Sequence, residues 1–137
     1  MKRFMALGLA GIVFLTACRT LANSSDLSSD TPVATVPAEY AGKTNPYSSE
    51  MALQGETVFQ TNCVICHGSQ GHGDGPASQS LEPKPRNLAE LQKNVGDDFL
   101  FWRITEGKPG TAMVAWKGIL TEDQIWQVIS FIHTLKE

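Results

Sequence analysis

Hydrophobic patterning divides the chain into stretches of different character. Phe4 to Leu15 is an apolar run preceded by Lys2 and Arg3. Its length suits the central region of an export signal and is too short to span a bilayer. From Arg19 to about Tyr47 no apolar period of helical or strand type is sustained, and Ser24, Ser25, Ser28, Ser29, Pro32, Pro37 and Pro46 sit among small and acidic residues. That stretch reads as a flexible tether of about 30 residues with a root-mean-square span of roughly 30 Å. The competing reading is a segment packed irregularly on the domain, which Val33, Val36 and Tyr40 would serve.

Regular structure is expected from Ser48 onward. Ser48 or Ser49 can cap a helix carrying Met51, Ala52, Val58 and Phe59 and ending before Cys63. Gly68 to about Gly96 is rich in Gly and Pro and reads as one long connection. A second helix starts at Gly96 or Asp97, runs through Phe99, Leu100, Trp102, Arg103 and Ile104, and stops at Gly107 with Pro109 beyond. The last helix has the clearest signature. Thr121 and Gln124 form a capping box, Leu120 and Ile125 are placed for a hydrophobic staple, and Ile125, Val128, Ile129, Ile132 and Leu135 make one apolar stripe. The prediction is a small all-α domain with one long structured loop. A loop of that length is uncommon unless it serves a function.

With 137 residues there is room for one domain of ordinary size. Phe99, Phe101, Trp102, Trp116, Trp126 and Phe131 fall in the second half, where most of the core is expected. The formal charge is −3, and loss of a leader containing Lys2 and Arg3 makes the chain more acidic still. With no basic patch to bind phosphates, nucleic acid is excluded as a partner.

The cysteines bring in chemistry. Leu15, Thr16, Ala17 and Cys18 close the apolar run and resemble the lipobox of bacterial lipoproteins. The resemblance implies a signal peptide over 1–17, a lipid-modified Cys18 heading a tether over 18–47, and a domain over 48–137. An ordinary signal peptide with an incidental Cys is the plainer alternative, and export follows from both. Cys63, Val64, Ile65, Cys66 and His67 form CxxCH, the attachment pattern of haem c. Two thiols three positions apart on a helical turn meet two vinyl groups on one edge of the ring, and the adjacent imidazole reaches the iron as proximal ligand. A zinc site would need His72 or His133 as further ligands, and a redox-active CxxC would need a βαβ setting. A structural disulfide is the remaining alternative for an exported protein.

Around that motif, Cys66, His67, Gly68, Gly71, Gly73, Asp74, Gly75 and Pro76 read CHGxxGxGDGP, followed by Leu81, Pro83, Pro85 and Asn87. From about Met51 to Leu135 the chain resembles a class I c-type cytochrome with one haem. The resemblance implies first and last helices crossing around that haem, with Gly55 and Phe59 meeting Phe131. It also implies an axial Met, matched by Met113 in the loop from Gly110 to Trp116, although Val114 stands where the family often has Pro. The Pro76 carbonyl or a neighbour in its turn would accept a hydrogen bond from His67. Trp102, Trp116, Arg86 and Arg103 are candidates for shielding or pairing the propionates. His72 lies too near the attachment site to serve as sixth ligand, and His133 is expected to face solvent. The function implied is that of a monomeric, membrane-tethered electron carrier between redox complexes. The alternatives are a dedicated haem subunit of a larger membrane oxidoreductase, and an enzyme or gas sensor with an open iron position.

Overall fold

A computed structural model describes residues 33–137. The expected signal peptide, Cys18 and the first part of the tether lie outside the described residues. Among the described residues there are five α-helices: α1 (Ala52–Asn62), α2 (Val64–His67), α3 (Leu88–Leu91), α4 (Asp97–Glu106) and α5 (Glu122–Ile132), with 3-10 turns at Ser49–Met51 and Ser78–Ser80. The described residues contain no strand pairing beyond one isolated bridge between Lys117 and Leu120. None of their helices is long and apolar enough to cross a membrane.

The fold is organised by the packing of α1 on α5. A Cβ built on Gly55 would run into the Gln127 carbonyl and stand 3.1 Å from the Phe131 Cβ. The bare backbone of Gly55 is therefore what lets the two helices approach. One turn later Phe59 meets Phe131, with ring centroids 5.1 Å apart in a tilted arrangement. Phe59, Val128 and Ile129 are fully buried at this crossing, the place where Leu→Ala-type truncations cost most. The capping box forms as expected. Thr121 accepts from the Gln124 amide at 3.2 Å, and the Gln124 side chain accepts from the Thr121 amide at 2.9 Å. α4 completes the core through Phe101, stacked on Trp126 at 4.2 Å, and through Phe99, Leu100 and Ile104. Trp102 and Trp116, expected in the core, are only half-buried. Trp102 lies under the Arg103 guanidinium at 4.1 Å.

Two boundaries differ from expectation. The long connection contains α3, which Asn87 caps by accepting from the Ala89 and Glu90 amides, and which buries Leu88, Ala89 and Leu91. The second half of the expected tether is packed rather than free. Tyr40 is 8 % exposed and its hydroxyl donates to Glu106. The Gly42 and Asn45 amides donate to Asp98 and Asp97, and the Asn45 side chain bonds the Trp126 carbonyl and Ser130. Tyr47 donates to Asp123 at 2.8 Å. Backbone and side-chain hydrogen bonds to α4 and α5, rather than an apolar period, hold this segment, and they leave no periodic trace for sequence reading to find.

Candidate functional site

α2 is a single turn, so most of its carbonyls have no partner within the helix. The Gly-rich loop supplies partners in reverse order. The Ala77 amide donates to the Ile65 carbonyl (2.9 Å), Gly75 to Cys66 (3.2 Å) and Gly73 to His67 (2.8 Å), while Gly68 closes back onto Val64 (2.9 Å). The loop backbone must lie directly against the helix end to do this. A Cβ at Gly75 would stand 2.6 Å from the Ile65 carbonyl oxygen and 2.7 Å from the Cys66 carbonyl carbon. The GDGP spacing is thus a steric requirement for capping the turn that bears Cys63, Cys66 and His67.

The same loop continues to Arg86, whose carbonyl lies 3.3 Å from His67 Nδ1. A carbonyl only accepts, so Nδ1 carries the hydrogen and Nε2 keeps a free lone pair. This corrects the expectation that Pro76 or its neighbour plays that part. The partner comes from the far arm of the loop, folded back beside the imidazole, which contiguity in sequence did not suggest. Burial lowers the His67 pKa, and the Arg86 carbonyl offsets this in part, so the ring is held neutral, as a metal ligand must be.

Neither Cys63 nor Cys66 is in a disulfide. Burial pushes the Cys63 thiol up to about 12, with the neighbouring Cys66 adding to the effect. Cys63 thus lacks the low pKa of the reactive thiolate in a redox-active CxxC. The other histidines are committed elsewhere. His72 Nε2 lies 3.0 Å from the Lys136 carbonyl. His133 is exposed, as expected, and also bonds Asp97 through Nε2 at 2.7 Å and meets Gln92 through Nδ1 at 3.0 Å, bridging the end of α5 to α3 and α4. No cluster of three or more His, Cys, Asp or Glu able to hold a metal ion is assembled among the described residues, so a zinc reading of the motif lacks its further ligands.

Met113 sits in the loop between α4 and α5, half-buried against the core. Its carbonyl accepts from the Lys108 amide at 2.9 Å, and its amide donates to Thr111 Oγ1 at 3.2 Å. Gly107, which ends α4 at φ +68°, allows the loop to fold back, because a Cβ there would strike the Met113 carbonyl and the Val114 and Ala115 backbone. Arg103 donates to the Gly107 carbonyl at 2.9 Å and stacks between the Trp102 and Phe99 rings. Arg86 is exposed, and it is its carbonyl that serves the site. The structure thus gathers Cys63, Cys66 and His67 on one turn and holds Met113 on a separate loop against the same core.

The residues present fit a covalently held haem. There are two unpaired thiols at the required spacing and an imidazole with Nε2 left free, on a turn whose carbonyls the glycine loop caps.

Comparisons with known proteins place the chain among c-type cytochromes. The family model described as cytochrome c oxidase, cbb3-type, subunit III matches residues 50–132. The cbb3-type cytochrome c oxidase subunit FixP of Bradyrhizobium diazoefficiens is 34 % identical over 86 residues, covering 61 % of this chain and 27 % of that protein. Cytochrome c6 of Chlorolobion braunii is 29 % identical, covering 62 % of this chain and 90 % of that protein. Among solved structures, cytochrome cL of Methylophaga aminisulfidivorans matches with a TM-score of 0.50 and 26 % identity, over 64 % of this chain and 54 % of that one. The chain spans little more than a quarter of the length of the oxidase subunits it matches, 27 % and 29 % in two of them.

Proposed function

Because the chain belongs to the c-type cytochrome family described as cytochrome c oxidase, cbb3-type, subunit III, we propose that it is an exported one-electron carrier. It works at the outer face of a membrane between redox complexes, as a monomer tethered through a lipid on Cys18. Cys63 and Cys66 hold a single haem c through thioethers, His67 is its proximal ligand and Met113 its distal ligand. The observation that supports this most strongly is the CxxCH turn, its carbonyls bound by the glycine loop and its imidazole tied through Nδ1 to Arg86.

When bound, the haem supplies a one-electron iron couple, whose potential His/Met ligation in a dry setting raises. The chain's own residues hold, orient and shield. The Arg86 carbonyl sets the tautomer and angle of His67. The Gly107 turn and the Lys108 amide hold the Met113 loop closed. Ile65 and Val114 stand 54 % and 57 % exposed beside the two ligand-bearing segments, giving the apolar contact that a weak, short-lived redox encounter uses. No side chain in this arrangement is needed to move a proton, so the chain acts as a carrier rather than as an enzyme.

A redox titration of the matured protein tests this reading. The expected result is one reversible one-electron wave and a ferrous form that does not take up carbon monoxide. Ready uptake of carbon monoxide would mean an open iron position and would favour an enzyme or sensor. The second reading, a dedicated haem subunit of an oxidase, is favoured by the family match; isolation of the tagged protein in fixed proportion with a catalytic subunit would select it.

A further inference from the structure

The loop bearing Met113 is tied at its far end to α4 and, through α4, to the segment that leads in from the N-terminus. The Trp116 and Lys117 amides donate to the Ile104 and Thr105 carbonyls, each at 3.1 Å. Lys117 Nζ reaches Glu106 Oε1 at 3.3 Å. The same carboxylate oxygen receives the Tyr40 hydroxyl. Glu106 therefore joins two segments far apart in sequence, the one ending the expected tether and the one following the expected axial ligand.

The three groups differ in burial, and that decides which of them matters. The Lys117 and Glu106 side chains are 69 % and 38 % exposed, so their ion pair alone contributes little. Tyr40 is buried, with its ring 6.2 Å from Phe101, and a phenol donating to a carboxylate makes a charge-assisted bond. Its position is independently fixed, since Tyr40 and Ala41 close a turn onto Pro37 and the Gly42 amide is held by Asp98. The buried member of the clasp is thus Tyr40, which orients the Glu106 carboxylate that the Lys117 side chain reaches, beside the backbone bonds of Trp116 and Lys117 to α4. Beside the clasp lies a cavity of about 360 Å³, lined by Tyr40, Phe101, Thr105, Lys117 and Leu120 among others.

We infer that Tyr40 is a positioning residue for Met113, acting through Glu106 and Lys117 to keep the ligand-bearing loop closed. The inference rests on Met113 being the distal ligand. It makes the end of the N-terminal segment a functional part of the haem site, where sequence reading sees only a spacer.

The test is the rate at which imidazole enters the ferric, matured full-length protein, because entry requires Met113 to leave. Tyr40→Phe removes one hydrogen bond to a charged acceptor and is expected to speed entry by about three- to tenfold, less than the full range for such bonds because Glu106 is exposed. Glu106→Gln should act in the same direction. Tyr47→Phe is the matched control. It removes a like hydroxyl-to-carboxylate bond, to Asp123 at the start of α5, and should lower thermal stability while changing the entry rate by less than about twofold. Equal acceleration by Tyr40→Phe and Tyr47→Phe, in proportion to lost stability, would overturn the inference, as would a Tyr40→Phe rate equal to wild type. Should Tyr40→Phe not mature, Lys117→Met, which keeps the aliphatic stem, must show an acceleration smaller than that of Glu106→Gln or the inference fails. Wild-type protein that takes imidazole as fast as Met113→Ala would instead remove Met113 as ligand, and the clasp's role with it.

Discussion

The two segments proposed to bear the iron ligands are built on opposite principles. The turn carrying Cys63, Cys66 and His67 is capped by backbone amides from Gly73, Gly75 and Ala77, with close approach enforced by glycine. The loop carrying Met113 is held by a few hydrogen bonds and by exposed side-chain ties at its ends. Backbone capping tolerates almost no substitution but does not depend on ionisation. Side-chain ties tolerate change and respond to pH. The turn with Cys63, Cys66 and His67 is therefore expected to be rigid and the Met113 loop adjustable.

The largest effect should come from attacking the rigid side. Gly75→Ala drives a methyl group into the Ile65 and Cys66 carbonyls; at roughly 3 kcal/mol for a forced overlap of this kind, the turn should lose its caps and the yield of matured protein should collapse. Normal maturation and melting of Gly75→Ala would show that the two sides do not differ as described.

Next in size is Met113→Ala, which should leave haem attachment intact while lowering the reduction potential and letting the ferrous protein bind carbon monoxide. Truncating a half-buried Met should cost about 2 kcal/mol or less in stability, at the low end of Met→Ala changes. An unchanged potential and spectrum would remove Met113 from the site.

The smallest effect concerns pH. The Tyr40 hydroxyl is pushed up to about 12, first by its hydrogen bond to Glu106 and then by burial. Its folded-state value lies above the ordinary value of about 10, so its stabilisation is complete below that pH and fades as pH rises toward the raised value. Glu106 is lowered, first by Tyr40 and then by Lys117, so its share is present above the ordinary carboxylate range and is lost as pH falls through the lowered value. Denaturant midpoints of wild type minus Tyr40→Phe should be level from neutral pH to about 10 and then decline. Parallel curves up to pH 12 would contradict the assignment.

Legibility in the sequence follows the same division. α5 announced itself through its capping box and apolar stripe, and α4 through the Gly107 stop, because local chemistry alone determines both. The CxxCH turn and its glycines were legible as a motif. The partner of His67 was not, since the Arg86 carbonyl comes from 19 residues away and a backbone atom leaves no mark in residue identity. α3 was passed over inside a Gly/Pro-rich stretch, although Asn87 before Leu88, Ala89, Glu90 and Leu91 is a cap followed by apolar residues. The packing of Tyr40, Asn45 and Tyr47 was hidden for a further reason. Three of its partners are Glu106, Asp97 and Asp123, acids that in sequence read as solvated surface.

The central claim is that two thiols and one imidazole on a single turn carry a haem. Intact mass and thiol titration of the mature polypeptide, made in a host that assembles c-type cytochromes, address it directly. The account predicts a red protein heavier by one haem, with Cys63 and Cys66 both unreactive to thiol reagents and a spectrum of low-spin iron. A colourless protein of unmodified mass over the domain, with both thiols free or joined to each other, would contradict it.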